Sequence, residues 1–275
     1  MADSIPKDRT VAALEEVWTS VGALLRTLDD DEWRRPSPLP GWDVQDNVAH
    51  MIGTELLLRG ESPPEVEVDR DANPHVRSDI AAFNEAWVIS MRERSPVEMI
   101  ARFDEVTAGR LEVLRAMSDE EWNVEGFTPA GKHAYGRFIQ IRVFDCWFHE
   151  QDIRDAVGRP GHESGLAVDV TLDEMTTAMG FVVGKRAGVA SGQSVTFAVT
   201  DGGAPVREIH VAVAERASVV DSLDGPATTT ISLPVGVMTR LAGGRVALAD
   251  VRDQIEVVGD GAVGDAVLAN LNYTI

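Results

Sequence analysis

Regularly spaced apolar side chains over the first 157 residues place the strongest constraint on the fold. Near the N-terminus they recur at three- and four-residue steps, which is the spacing of one buried face of an α-helix. These are Val11, Leu14, Trp18, Val21, Leu25 and Leu28. The same spacing predicts further helices from Asp43 to about Arg59, over 77–94, from Ser95 to about Met117 and over 134–157. Four long amphipathic helices and a shorter one indicate a helical bundle.

Capping residues mark the predicted helix starts. Asp43 is placed to accept hydrogen bonds from a first helical turn, and Ser95-Pro96-Val97-Glu98 combines a capping box with proline at the first helical position. Two short segments also resemble each other, residues 28–33 (LDDDEW) and 117–122 (MSDEEW). They are either an internal repeat or two cases of the same capping chemistry, and we favour capping.

Composition changes near residue 160. All six tryptophans lie before this point, whereas 15 of the 24 glycines lie after it. Gly158-Arg159-Pro160-Gly161 contains a glycine that can end a helix and a proline that cannot continue one. We therefore predict two domains, a helical bundle over residues 1–160 and a smaller domain over residues 161–275.

The second domain is predicted to be α+β. Thr171-Leu172-Asp173-Glu174 is interpreted as a capping box that begins a helix ending near Lys185. Alternating apolar residues predict four strands, and the first two flank an Asp-Gly-Gly turn at 201–203. The strands are Ser194–Val199, Val206–Ala214, Thr228–Leu233 and Gln254–Val258, with short helices near 235–242 and 262–271.

Charge and cysteine content exclude several function classes. The formal net charge is −20, and a surface this acidic repels nucleic-acid phosphates and anionic membranes. Cys146 is the only cysteine, so neither an internal disulfide nor a cysteine-based zinc finger can form. No apolar run approaches the roughly 20 residues of a membrane span, and no signal peptide is visible. We therefore expect a cytoplasmic protein that binds neither nucleic acid nor membrane.

One pair of residues suggests a metal site. Asp145 and His149 lie four apart on a predicted helix, so they share a face and can bind one ion. A third ligand must come from another helix, and His50 is the best candidate. Three protein ligands would leave a fourth position open, as in catalytic zinc sites. Such pairs also occur as ordinary surface ion pairs, and Asp46 with His50 has the same spacing.

Two segments of the helical part stand out, residues 39–50 (LPGW…AH) and residues 142–154 (RVFDCWFHEQDIR). They resemble the signature segments of the mycothiol-dependent maleylpyruvate isomerase family. The resemblance implies a DinB-like four-helix bundle that binds a divalent metal, typically Zn²⁺. It assigns His50, Asp145 and His149 as the metal ligands. The family pattern has Glu where this chain has Asp145.

The C-terminal part resembles the sterol-carrier-like domain that many members of this family carry. The similar stretches are residues 227–234 (ATTTISLP), 241–245 (LAGGR), 255–260 (IEVVGD) and 267–270 (VLAN). Together the two resemblances span nearly the whole chain. They imply mycothiol as the thiol cofactor or cosubstrate.

Three further residues are candidates for supporting roles. Arg142 shares the helical face of the Asp-His pair, where it either holds a substrate carboxylate or forms an ion pair. Asp152 can orient the imidazole of His149 or pair with a neighbouring arginine. Asn84 lies beside an apolar stripe and is a candidate for binding the cofactor in the cavity.

A bound metal ion can lower the pKa of a thiol and make it a nucleophile near neutral pH. The chain offers no nucleophile of its own, because Cys146 is interpreted as a small buried apolar residue. We therefore expect a small-molecule electrophile and an external low-molecular-weight thiol as partners. S-transfer is favoured first and cis/trans isomerisation second. The alternatives are a DinB-like metallohydrolase that uses water and a non-catalytic protein that binds a metal or a hydrophobic ligand. We expect a monomer or homodimer.

Overall fold

A computed structural model describes residues 5–274 and divides the chain into two units, residues 1–162 and 163–275. The first unit contains helices and one short two-stranded sheet, and the second combines helices with a five-stranded sheet. The predicted fold class, a helical domain followed by an α+β domain, is therefore confirmed. Among residues 5–274, no helix has the length and apolar character needed to cross a membrane.

The helical unit is a four-helix bundle with short additional elements. Helices α1, α3, α5 and α7 form the bundle, since α1 and α3 each contact both α5 and α7. The shorter α4 packs against α3. The elements in chain order are α1 Lys7–Leu25, α2 Asp30–Trp33, α3 Val44–Leu58, α4 Asp79–Met91, α5 Pro96–Ala116, α6 Asp119–Trp122, β1 Glu125–Thr128, β2 Gly131–Ala134 and α7 Tyr135–Val157.

Side-chain caps fix where these helices begin. Asp43 and Asp46 form a reciprocal capping box at α3, and Ser95 and Glu98 form another at α5. The two similar segments are both four-residue helices, α2 and α6, and each begins with a capping box and ends on a buried tryptophan. Capping therefore explains their likeness. Gly158 ends α7 with a left-handed φ of 66°.

The second unit contains one mixed sheet with helices packed on it. The strand order is β5-β4-β3-β6-β7, in which β3 and β6 run parallel and the other neighbours antiparallel. Val195, Phe197 and Val199 alternate along β3 and are buried in its core. The elements are α8 Leu166–Phe181, a π-helical turn Val182–Arg186, β3 Ser194–Asp201, β4 Ala204–Val213, β5 Ala217–Val220, β6 Thr229–Pro234, α9 Val235–Ala242, α10 Leu248–Val251, a 3₁₀ turn Arg252–Gln254, β7 Glu256–Gly259 and α11 Gly261–Ala269.

The sequence interpretation was wrong about the start of α8. Thr171 does not cap a helix, because α8 begins at Leu166 and Thr171 lies fully buried within it. Gly165 precedes the helix with a φ of 107°, which glycine adopts without strain. The strands β1, β2 and β5 were not predicted, because each is only four residues long and mostly solvent-accessible.

Candidate metal centre

Helices α3 and α7 bring together the three predicted ligands. His50 projects from α3, while Asp145 and His149 lie one turn apart on α7, which packs against α3. One donor atom from each residue lies within 4.8 Å of the others. Both histidines are buried, whereas the side chain of Asp145 is 30% exposed. The cluster therefore opens on the side of Asp145.

The carboxylate of Asp145 faces both imidazoles. Its Oδ2 lies 3.4 Å from Nε2 of His50, and its Oδ1 lies 3.5 Å from Nε2 of His149. The imidazole rings of the two histidines meet edge to face, with centroids 4.8 Å apart. Ligand atoms held about 2.0–2.1 Å from a tetrahedral ion lie about 3.3 Å from one another. The two nitrogen–oxygen separations are close to this value, and the donor atoms of all three residues lie within 4.8 Å of one another, so the cluster is a candidate site for a divalent cation.

Asn47 sets the tautomer of His149. Its Nδ2 donates to the carbonyl oxygen of Asp43 at 2.8 Å, so its Oδ1 is the atom that faces Nδ1 of His149 at 2.9 Å. An amide oxygen only accepts, so Nδ1 must carry a proton, and the neutral ring then presents the lone pair of Nε2 to the cluster. Asp152 lies on the same side of the ring, with Oδ2 3.4 Å from Nδ1. Metal-binding histidines ordinarily have such a partner on the second nitrogen.

Arg142 is fully engaged with protein groups. Its Nε donates to Glu55 Oε1 at 2.8 Å, its terminal NH1 donates to Asp145, and its NH2 lies 3.3 Å from Sγ of Cys146. The side chain is buried. Of the two roles considered for Arg142, the geometry matches an ion pair, because no guanidinium nitrogen is directed away from these partners.

The charges of the cluster follow from burial and from these contacts. Burial lowers the pKa of His50, since the imidazolium loses hydration, so this ring is neutral. Burial acts the same way on His149, but the carboxylates of Asp145 and Asp152 outweigh it and raise the pKa. Burial alone would raise the pKa of Asp145, yet Arg142 and both imidazoles hold it well below its usual range. Asp145 is therefore ionised and available as an anionic ligand.

Trp42 forms an aromatic wall beside the cluster. Its ring centroid lies 5.3 Å from that of His50 and 5.9 Å from that of His149. The indole Nε1 donates to Oε2 of the buried Glu85 at 2.9 Å, and His75 Nε2 lies 3.1 Å from the same oxygen. This position of Trp42 beside the cluster was not predicted from the sequence.

The remaining sequence candidates lie around this arrangement. Asn84 is half-buried, and the contact from α4 to Trp42 is made by its neighbour Glu85. Cys146 is fully buried, as its interpretation as a small buried residue requires, and burial raises the pKa of its thiol to about 12, which disfavours the thiolate. Asp46 completes the capping box of α3, and its carboxylate also accepts a hydrogen bond from Arg92.

The sequence analysis missed three polar residues near the cluster, Asn47, Glu55 and Glu85. All three are buried in helices that otherwise present apolar faces to the core. A polar residue within an apolar helix was the available signal. Asn47 also lies three positions before His50, which places the two on one face of α3.

The fold and the site together define a class of protein, a four-helix bundle with a candidate metal centre of two histidines and one aspartate. The family model described as the mycothiol maleylpyruvate isomerase N-terminal domain matches residues 14–154. The chain belongs to this family.

Two solved structures share the fold of this chain. The crystal structure of a mycothiol-dependent maleylpyruvate isomerase has 17% sequence identity and a TM-score of 0.55, covering 92% of each chain. A histidine-to-alanine mutant of that enzyme matches equally well, at 16% identity and a TM-score of 0.55. At these identities the likeness shows the fold.

Two curated relatives from Mycobacterium tuberculosis strains, both described as uncharacterized proteins, are 31% identical over 164 residues. The match covers 58% of this chain and 59% of each relative, so it spans about three fifths of their length.

Proposed function

We propose that the protein is a metal-dependent, mycothiol-dependent S-transferase or cis/trans isomerase acting on a small electrophile. Family membership supports a thiol-dependent isomerase. The observation that carries the metal-dependent part is the convergence of His50, Asp145 and His149, whose donor atoms lie within 4.8 Å of one another. Zn²⁺ is our first choice of cation, because two imidazoles and a carboxylate are common zinc ligands.

A divalent cation at this site supplies a Lewis acid that favours the thiolate form of a thiol near neutral pH. The residues of the chain prepare the site. Asn47 and Asp152 keep the proton of His149 on Nδ1, and Arg142 holds the carboxylate of Asp145 toward the two imidazoles. The buried histidines and the ring of Trp42 exclude water from one side.

The proposed reaction uses an external thiol. The thiolate sulfur adds to an electrophilic carbon of a double bond, and the electron pair moves to the substrate's activating group. Rotation about the resulting single bond, followed by cleavage of the carbon–sulfur bond, returns the thiolate and gives the isomer. Protonation of the adduct at carbon instead gives the S-conjugate. Cys146 is unsuited to this role, because its thiol is buried and its pKa is raised to about 12.

Elemental analysis of protein purified without added metal is the first test. We expect a stoichiometric divalent ion that His50→Ala and His149→Ala both lose. His133→Ala is the matched control, because His133 is exposed on β2 and is not part of the cluster. Failure of the wild-type protein to hold or take up any cation would refute the metal site.

Turnover assays test the thiol. Mycothiol and a panel of small electrophiles should give products only when both are present with the metal-loaded protein. Turnover that needs water but no thiol would refute thiol dependence and identify a metallohydrolase. A metal-free protein with a copurified lipid would instead favour a carrier of hydrophobic ligands.

We also propose the domain assignment that the sequence suggests, with a DinB-like bundle over residues 1–160 and a sterol-carrier-like domain over residues 161–275. The support for the second domain is the sequence resemblance together with its α+β composition. Expression of residues 1–160 alone tests this boundary. A folded fragment that takes up the cation supports it, and an unfolded one contradicts it.

A further inference from the structure

A buried group of charges lies directly behind the ligand cluster. Glu55 on α3 binds two arginines at once, with Oε1 accepting from Arg142 Nε at 2.8 Å and Oε2 accepting from Arg110 Nε at 3.0 Å. These three side chains are 1–3% exposed. Arg110 also donates to the hydroxyl of Tyr135. The group therefore links helices α3, α5 and α7 below the candidate metal centre.

Buried charges are expensive, since each loses hydration and regains it only through well-placed partners. One arginine would suffice to neutralise Glu55. The second, Arg142, brings its positive charge to Asp145, three residues further along α7. Glu55 and Cys146 occupy the other two guanidinium nitrogens, so the planar fork of Arg142 has one orientation. The arrangement thus delivers a fixed donor to the carboxylate of Asp145.

Asp145 needs such a donor because the last torsion of an aspartate side chain is only weakly restricted. Its two oxygens face two different imidazole nitrogens, at 3.4 Å and 3.5 Å, and a rotation of the carboxylate would lose both approaches. Arg142 binds Oδ2, the oxygen that faces His50. That bond defines which oxygen faces which histidine.

We infer that Glu55 and Arg142 are positioning residues for the Asp145 carboxylate, and that Arg142 does not bind a substrate carboxylate. Glu55 fixes the orientation of the Arg142 guanidinium, and Arg142 in turn fixes the orientation of the Asp145 carboxylate. This inference rests on the proposed function, because it requires a cation at the cluster.

Co²⁺ added to metal-free protein is the probe, read by titration and by its visible absorption spectrum. The variants are Arg142→Lys, whose single ammonium cannot hold both carboxylates in a fixed fork, and Glu55→Gln. We expect each to weaken Co²⁺ binding about 10-fold to 100-fold, the usual effect of losing a partner of a metal ligand. The absorption spectrum should also change, since it reports the arrangement of the ligands.

Arg110→Lys is the matched control. Arg110 binds the same glutamate from an equally buried position but does not contact Asp145, so its loss disturbs the same network without touching the ligand. Thermal unfolding of all variants measures the purely structural effect. We expect Arg110→Lys to lower thermal stability as Arg142→Lys does, while it keeps wild-type Co²⁺ affinity and spectrum.

Two results would overturn the inference. In the first, Arg142→Lys and Glu55→Gln bind Co²⁺ as the wild type does, and Arg142→Lys instead raises the KM for a carboxylate-bearing electrophile. In the second, Arg110→Lys loses Co²⁺ binding to the same degree, which would make the network merely structural. Absence of Co²⁺ binding by the wild-type protein would refute the proposed metal site itself, so the two failures are distinguishable.

Discussion

Replacing Asn47 with alanine tests whether the tautomer of His149 governs cation binding. Asn47 Oδ1 lies 2.9 Å from Nδ1 of His149, and no part of Asn47 touches the predicted ligand atoms on the other side of the ring. The substitution therefore removes the partner without removing a ligand. Loss of such partners commonly weakens metal binding about 10-fold to 100-fold, or about 1.4–2.8 kcal/mol.

The structure indicates that the loss of metal affinity should lie near the lower limit of this range. After the substitution, Asp152 Oδ2 remains 3.4 Å from Nδ1 of His149, so the ring nitrogen keeps an acceptor within reach. We expect affinity to fall about 10-fold for Asn47→Ala and about 100-fold when Asp152→Asn is added. Stability should fall by about 2 kcal/mol, because two hydrogen bonds of about 1 kcal/mol each are lost.

Isothermal titration of metal-free protein with Zn²⁺ measures the affinity, and denaturant unfolding measures the stability. Asn123→Ala is the control, since Asn123 donates from Nδ2 to the carbonyl oxygen of Asp119 at 2.7 Å, as Asn47 does to Asp43, but it lies at the end of α6. It should leave Zn²⁺ affinity unchanged. Wild-type affinity in Asn47→Ala, with the loss of stability present, would refute the tautomer argument.

Three more predictions follow from other features of the helical unit. Cu²⁺ binding should quench the fluorescence of Trp42, because its ring centroid lies 5.3 Å and 5.9 Å from those of the two histidines. Trp42→Phe should remove most of that quenching, and equal quenching in the variant would contradict the candidate site. Burial alone would lower the pKa of His162, but its two carboxylate partners outweigh burial and raise the pKa. The protonated imidazole therefore contributes fully to the free energy of unfolding below about pH 6.5, and this contribution is lost as pH rises through the folded-state pKa. His162→Gln should therefore flatten the decline in unfolding free energy between pH 6 and 8, as measured by unfolding monitored through tryptophan fluorescence. An unchanged dependence of the unfolding free energy on pH would contradict this prediction. Gly136→Ala should lower the free energy of unfolding by about 1–3 kcal/mol, because the new Cβ would lie 2.3 Å from Trp122 Nε1. Gly109→Ala should instead raise the free energy of unfolding by about 0.5–1 kcal/mol in the same assay, because a Cβ there meets open space.

The helices of the bundle were predictable because the patterns that define them lie within short stretches of sequence. The apolar stripe of α1 and the capping boxes at Asp43 and Ser95 depend only on residues a few positions apart. Strand β5 was not predictable in the same way, since it is four residues long and is stabilised by its pairing with β4. The error at Thr171 has a similar origin, because burial against the rest of its unit overrode a local capping pattern.

The ligands of the candidate site were also predictable, but their supporting residues were not. Spacing on one helix identifies Asp145 with His149, and the polar character of His50 makes it the third candidate. The partners depend on the register between α3 and α7. Asn47 meets His149 across 102 positions of the chain, and Glu55 meets Arg142 across 87. No local pattern encodes that register, which emerges only when the apolar faces of the helices pack.

Asp145 stands where the family pattern has a glutamate, so the question is whether the shorter side chain still reaches the two histidines. An aspartate is shorter by one methylene, so its carboxylate stays closer to the helix backbone. Its oxygens nevertheless lie 3.4 Å and 3.5 Å from the two histidine nitrogens, near the separation expected around a tetrahedral ion. The same short side chain keeps the carboxylate within reach of Arg142, one turn earlier on α7. The carboxylate of Asp145 thus faces both histidines while it pairs with the buried Arg142, so the aspartate and the arginine are best understood as one unit.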